Sequence, residues 1–171
     1  MERYCQTRNS RLLQYKEVKV ANTQYFHKLD VRDAFKKSLD KIFADKNIYD
    51  ELGCEVYIVG RKKKSKPTFP CIFIDFPQNS TARQYSSSTE IQGYTSFTIS
   101  FDIYSKELKN YTQDDAVARI AEILIDGLQK QYFNLQLTLD QPLPNLDDTI
   151  SREQVRFEGV YDNANNQIYS D

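Results

Sequence analysis

Hydrophobic and polar positions change period several times along the chain, and each change marks an element. Val31, Phe35, Leu39, Ile42 and Phe43 recur at helical spacing, with Arg32, Lys36, Lys37, Asp40 and Lys41 on the remaining sides. This predicts an amphipathic helix capped by Asp30. "LGCEVYIVG" and "FPCIFIDFP" follow, both rich in β-branched and aromatic residues, with the basic stretch "RKKKSKP" between them. They read as two strands of a hairpin with a long loop. A polar connection, Gln78 to Thr89, leads to a strand that Glu90 and Ile91 already begin. In it Phe97, Ile99, Phe101 and Ile103 alternate with Thr98, Ser100, Asp102 and Tyr104.

A second helix follows, with Val117, Ile120, Ala121 and Leu124 on one stripe and Gly127 and Leu128 near its end. Thr112 and Asp115 resemble a capping box, and Asp114 and Asp115 lie where the helix dipole favours anions. "FNLQLTLDQP" predicts a strand with Phe133, Leu135, Leu137 and Leu139 on one side. "REQVRFEGVYD" predicts another with Val155, Phe157, Gly159 and Tyr161 together. Strands grouped between two lone helices predict an α+β fold. The expected architecture is a mostly antiparallel sheet of about five strands, with two helices packed on one face and the other face half polar. Residues 1–28 read as an N-terminal arm or extension, in which only "LLQYKEVKV" has strand character. Residues 29–171 read as a single domain.

Composition narrows the function classes. A chain of 171 residues, 40% hydrophobic and 27% charged, can bury one core. Its net charge of −1 gives no global reason to expect nucleic acid or an anionic membrane as the main partner. The apolar runs are too short for a membrane span, and the first ten residues are too polar for a signal peptide, so the chain is expected to stay in the cytoplasm where it is made. Cys5, Cys54 and Cys71 are odd in number and form no CxxC pair. They are read as reduced thiols, with no disulfide framework or zinc site.

The residues for catalysis are sparse. His27 is the single histidine, at the edge of the arm, so a Ser/His/Asp or Cys/His set has one imidazole to draw on. Asp147 and Asp148 are adjacent carboxylates, but sequence neighbours point apart unless a turn gathers them, and "PLPNLDDT" reads as a polar loop ending in a turn. Neither GxGxxG nor GxxxxGK[ST] occurs. No catalytic residue, cofactor site or metal site is therefore assigned, and an enzyme is not expected.

The concentrated feature is "RKKKSK". As a hairpin loop it would hold Arg61, Lys62, Lys63, Lys64 and Lys66 clear of the sheet. Two readings stand: a finger that touches phosphates or a partner, or a solvated loop that blocks edge pairing. Charge is also uneven along the chain. The arm is basic, whereas Asp140 to Asp171 holds seven acids against Arg152 and Arg156. Opposite ends could pair between copies in a ring, or be ordinary surface charge.

The order of elements and several phrases resemble the tail terminator proteins of long-tailed bacteriophages, with the related tail-completion and neck proteins. The likeness covers roughly Leu29 to Tyr169. It is carried by "LDVRDAFKKSLDKIF", "FPCIFIDF", "GYTSFTISFDIYSK" with "QDDAVARIAEILIDGL", and "ISREQVRFEGVYDNANNQIY". The arm is longer than the family core needs, and "RKKKSK" is more basic than its pattern requires. The resemblance implies a structural virion protein: a ring, usually a homohexamer, that caps the tail tube, stops its polymerisation and offers a head-tail joining surface. Its partners would be other copies, the tail tube protein and connector or neck proteins, with transient contact to genomic DNA in the lumen. It would be assembled in the host cytoplasm and found in the viral tail or neck. The alternatives are a neck or head-tail connector subunit of similar fold, and a small nucleic-acid-binding module using Arg61 to Lys66.

Overall fold

The computed structural model describes residues 28–60, 67–76, 84–87, 90–132, 134–162 and 167–168. Residues 1–27 of the arm, with Cys5 and His27, the run Arg61 to Lys66, and Phe133 lie outside the described residues, and Lys28 belongs to the first helix. The elements are α1 (Lys28–Phe43), α2 (Lys46–Leu52), β1 (Tyr57–Val59), β2 (Cys71–Asp75), β3 (Gln84–Ser87), β4 (Glu90–Ser105), α3 (Gln113–Gln131), β5 (Gln136–Asp147), β6 (Ile150–Asp162) and β7 (Gln167–Ile168). This is an α+β fold. Five strands form the main sheet in the order β1-β2-β4-β6-β5, while β3 joins β4 and β7 joins β6.

The pairing of β4 with β6 organises the rest. Its unbroken antiparallel register runs from Tyr94 opposite Asp162 to Ser105 opposite Ser151. Side chains alternate across a strand, so this register puts Phe97, Ile99, Phe101 and Ile103 on the same face as Val155, Phe157 and Tyr161. β2 adds Ile72 and Ile74 opposite Ile103 and Phe101. All of these residues belong to one buried cluster with the α1 and α3 stripes. Phe35 of α1, fully buried, lies at its centre. Its ring is 6.1 Å from Phe97, 5.9 Å from Phe101 and 5.2 Å from Tyr132. The contacts with Phe97 and Phe101 are edge-to-face and that with Tyr132 is tilted, and edge-to-face packing adds to the stabilisation from buried area.

Several expectations needed correction. The helix starts at Lys28, so Asp30 falls inside its first turn. A short helix, α2, lies between the first helix and the stretch "LGCEVYIVG", where no element is predicted, and takes in only Leu52 of that stretch. Asp45 caps it by accepting from the Asn47 N–H, and Gly53 ends it in the left-handed region at φ 73°. β1 and β2 run parallel, so they are not a hairpin, and the connection carrying Arg61 to Lys66 is a crossover between parallel neighbours. The polar connection contains β3. β5 continues through "PLPNLD" to Asp147, closing on β6 by the turn at Asp148 and Thr149. Pro142 and Pro144 are tolerated there because β5 is the outer strand of the main path.

The register of β5 shifts between Leu137 and Leu139. Leu137 faces the helices opposite Phe157, but Leu139 lies opposite Arg156 on the other face and Asp140 turns to the helix side opposite Val155. The predicted alternation of leucines therefore breaks at this point. The start of α3 is as predicted: Thr112 Oγ1 accepts from the Asp115 N–H at 3.3 Å.

Gly159 lies opposite Phe97, and an added Cβ would stand 2.7 Å from Phe97 Cζ and 2.9 Å from Leu135 Cδ2. Gly159→Ala is expected to destabilise the protein by about 1–3 kcal/mol, and adding Phe97→Leu should recover part of the loss. Phe101→Asp is expected to prevent folding, because a fully buried position would carry an unpaired carboxylate. Denaturant titration measures both; an unchanged midpoint in Gly159→Ala would refute the close packing.

Candidate assembly face

The face of the sheet turned away from the helices carries a polar cluster. Register places Tyr104, Asp102 and Ser100 of β4 beside Arg152, Gln154 and Arg156 of β6, and beside Cys71, Phe73 and Asp75 of β2. Asp102 is its hub. It accepts from Arg152 Nη2 at 2.9 Å and from Gln154 Nε2 at 2.8 Å. Gln154 in turn accepts from Arg156 Nη2 at 3.3 Å. The Arg152 guanidinium lies 5.3 Å over the Tyr104 ring, which meets Phe73 edge-on at 5.5 Å. A small apolar cluster of Cys71, Phe73 and Tyr104, with Val59, Phe69 and Ile150 against it, closes this end.

Asp102 is only 7% exposed although it lies on the polar face. Long side chains from the neighbouring strand fold over it, and burial makes the partnered charge dependent on Arg152. The Nε atoms of Arg152 and Arg156 are buried without a hydrogen-bond partner. The cluster thus presents a rigid patch in which charge is fixed in position by neighbours in the sheet. That suits recognition of another surface. For nucleophilic chemistry it offers Cys71, whose thiol burial pushes up to about 12, far from ionising at neutral pH.

A second electrostatic unit ties the helices together. Arg119 of α3 donates to both oxygens of Glu51 on α2, at 2.6 and 3.3 Å, and to Glu122 at 2.8 Å. Tyr111 donates to Glu51 at 2.9 Å. The Arg119 hydrogen bonds, and then that from Tyr111, hold the Glu51 carboxyl below the usual carboxylate range.

The predicted site residues fare unevenly. Arg61, Lys62, Lys63, Lys64 and Lys66 lie outside the described residues, and Asp147 and Asp148 fall at a strand end and in a turn. Among the described residues no group of three or more His, Cys, Asp or Glu side chains could hold a metal ion. None of their helices is long and apolar enough to cross a membrane. An open groove of about 660 Å3 lies where α1 meets α2, between Asp40, Phe43, Tyr49, Asp50 and Glu55. Arg32, which lies outside the apolar stripe of α1, stacks 5.5 Å over Phe76 with its side chain 11% exposed. The Asp102 hub was missed as a site, although "REQVR" places Arg152, Gln154 and Arg156 on one side of a strand. No family model matches the chain, and no curated protein matches it.

Asp102→Ala is expected to cost about 3 kcal/mol, more than an exposed carboxylate, because Arg152 is left half-buried without its partner. In a double-mutant cycle with Arg152→Met, the two changes together should cost less than their sum by about 1–3 kcal/mol. Additive losses by urea titration would show that the pair is not coupled.

Proposed function

We propose that this protein is a structural subunit of a bacteriophage virion. Copies form a ring at the end of the tail tube, stop its polymerisation and provide the surface that joins head to tail. The likeness of element order and phrases to tail terminators motivates the proposal. The observation that supports it best is the ion pair of buried Asp102 with half-buried Arg152 on the sheet face turned away from the described helices. A charged pair preorganised on a face that none of the described helices covers suits contact between large rigid surfaces, where complementary charge sets register and partner choice. Six copies are the number usual in the family. The work of such a subunit is geometric and needs no reaction centre.

A neck or head-tail connector subunit would use the same face with a different partner. Binding to the isolated tail tube separates the two: a terminator caps it, and a connector leaves its growth unchecked. The basic run Arg61 to Lys66 meets DNA in this proposal only as the genome passes through the lumen.

Negative-stain microscopy and light scattering of the purified protein, alone and with tail tubes, are expected to show rings with a central hole. Monomer alone at high micromolar concentration, even with tubes present, would sink the ring. Changing Lys62, Lys63 and Lys64 together to Ala is expected to leave folding within about 0.5 kcal/mol and ring formation intact, and to impair head-tail joining or DNA passage. Micromolar affinity of the free protein for duplex DNA at physiological salt, abolished by the triple change, would favour a nucleic-acid-binding module instead.

A further inference from the structure

The groove of about 660 Å3 where α1 meets α2 has an apolar floor and an acidic rim. Phe43, the last residue of α1, and Val56, just before β1, form the floor and are 7% and 6% exposed. Tyr49 of α2 stands beside them at 52%, the most exposed large hydrophobic side chain among the described residues. A ring left half in water next to an apolar floor offers a docked segment area to bury. Around the groove acids outnumber cations: residues 40–55 hold Asp40, Asp45, Asp50, Glu51 and Glu55 against Lys41 and Lys46. Three of these acids are committed, since Asp40 pairs with Lys36, Asp45 caps α2 and Glu51 takes Arg119. Asp50 and Glu55, both on the groove wall, have no ion-pair partner among the described residues, and Lys46 is the cation that shares the lining.

The 27 residues before α1 carry the opposite charge. Arg3, Arg8, Arg11, Lys16 and Lys19 stand against Glu2 and Glu17, so their surplus of cations equals the surplus of acids in residues 40–55. The run "LLQYKEVKV" adds Leu12, Leu13, Tyr15, Val18 and Val20 for an apolar floor, whereas "RKKKSK" has cations but no apolar side chain to place there. Reach permits the return. From Lys28 to Asp40 the helix rises about 18 Å at about 1.5 Å per residue, and residues 21–27 span up to about 23 Å when extended.

We propose that this groove is the docking site of the arm of the same chain. Residues 11–20 lie against Phe43, Tyr49 and Val56, and Arg11, Lys16 and Lys19 meet the free carboxylates of Asp50 and Glu55. The docked arm covers the exposed tyrosine and neutralises the rim in one contact. The groove is built by helices, whereas the Asp102 face is turned away from them, so the docking stands independently of the ring proposal.

The sequence contains no tryptophan, so Tyr15→Trp in the full chain gives a single reporter. Its emission is expected at shorter wavelength than in the urea-unfolded chain, with weaker quenching by acrylamide. Asp50→Lys with Glu55→Lys, both at exposed positions, should lower the ratio of docked to free arm about tenfold, and Lys16→Glu with Lys19→Glu in that background should restore it. Should the groove variant fail to fold, adding sodium chloride to the Tyr15→Trp chain serves alone, since screening should expose the reporter. A reporter as accessible in the folded chain as in the unfolded one, or burial that neither the groove charges nor salt alter, would overturn the proposal. So would burial lost on dilution of a chain that stays folded, which would assign the groove to the arm of another copy.

Discussion

The unbroken antiparallel register between β4 and β6 is the constraint on which the remainder rests. Once Phe101 stands opposite Val155 and Asp102 opposite Gln154, every side chain of both strands is assigned to a face. A slip of one residue would send Phe97, Ile99, Phe101 and Ile103 to the open side and bring Ser100 and Asp102 beneath the helices. Burying four such residues is worth roughly 1.5–3 kcal/mol each, and exposing them while burying a carboxylate adds a penalty of similar size. The alternative register is therefore remote in energy, and α1 and α3 have one surface on which to pack.

How much of this was legible depended on where the signal was local. The period-two run Phe97 to Ile103 and the helical stripe of Val117, Ile120, Ala121 and Leu124 each have a buried and an exposed side, so their burial announces itself in composition. The capping residues are equally local: Thr112 marks the start of α3, and Asp45 with Gly53 carries the same kind of signal for α2, but a helix of seven residues is too short to show a periodic stripe and Gly53 falls in the β-like run "LGCEVYIVG". The parallel pairing of β1 with β2 was not legible, because strand direction depends on partners far away in sequence. Nor was the fate of Asp140. A single extra residue in β5 reverses the parity of all that follows, and nothing in "QLTLD" states where that residue is accommodated.

The candidate face shows the same division. That Asp102 opposes the core was readable from alternation, but that it would be nearly inaccessible was not, since its burial comes from side chains fifty residues on. An ion pair of this kind adds little net stability over an apolar isostere of the same shape, because desolvation offsets the attraction. Its effect is to make alternatives worse: any packing that separates Arg152 from Asp102 strands a buried charge.

The two edges of β4 differ in how they are filled. β6 accompanies one edge along residues 94–105, while the other is divided between β2 at residues 100–104 and β3 at residues 90–95. Pulled along its own axis, β4 must break many hydrogen bonds at once, whereas β1 and β7, with three and two paired residues, can peel away one bond at a time. Under mechanical load the molecule would therefore yield from its margins inward, and its central strand would be the last part to let go.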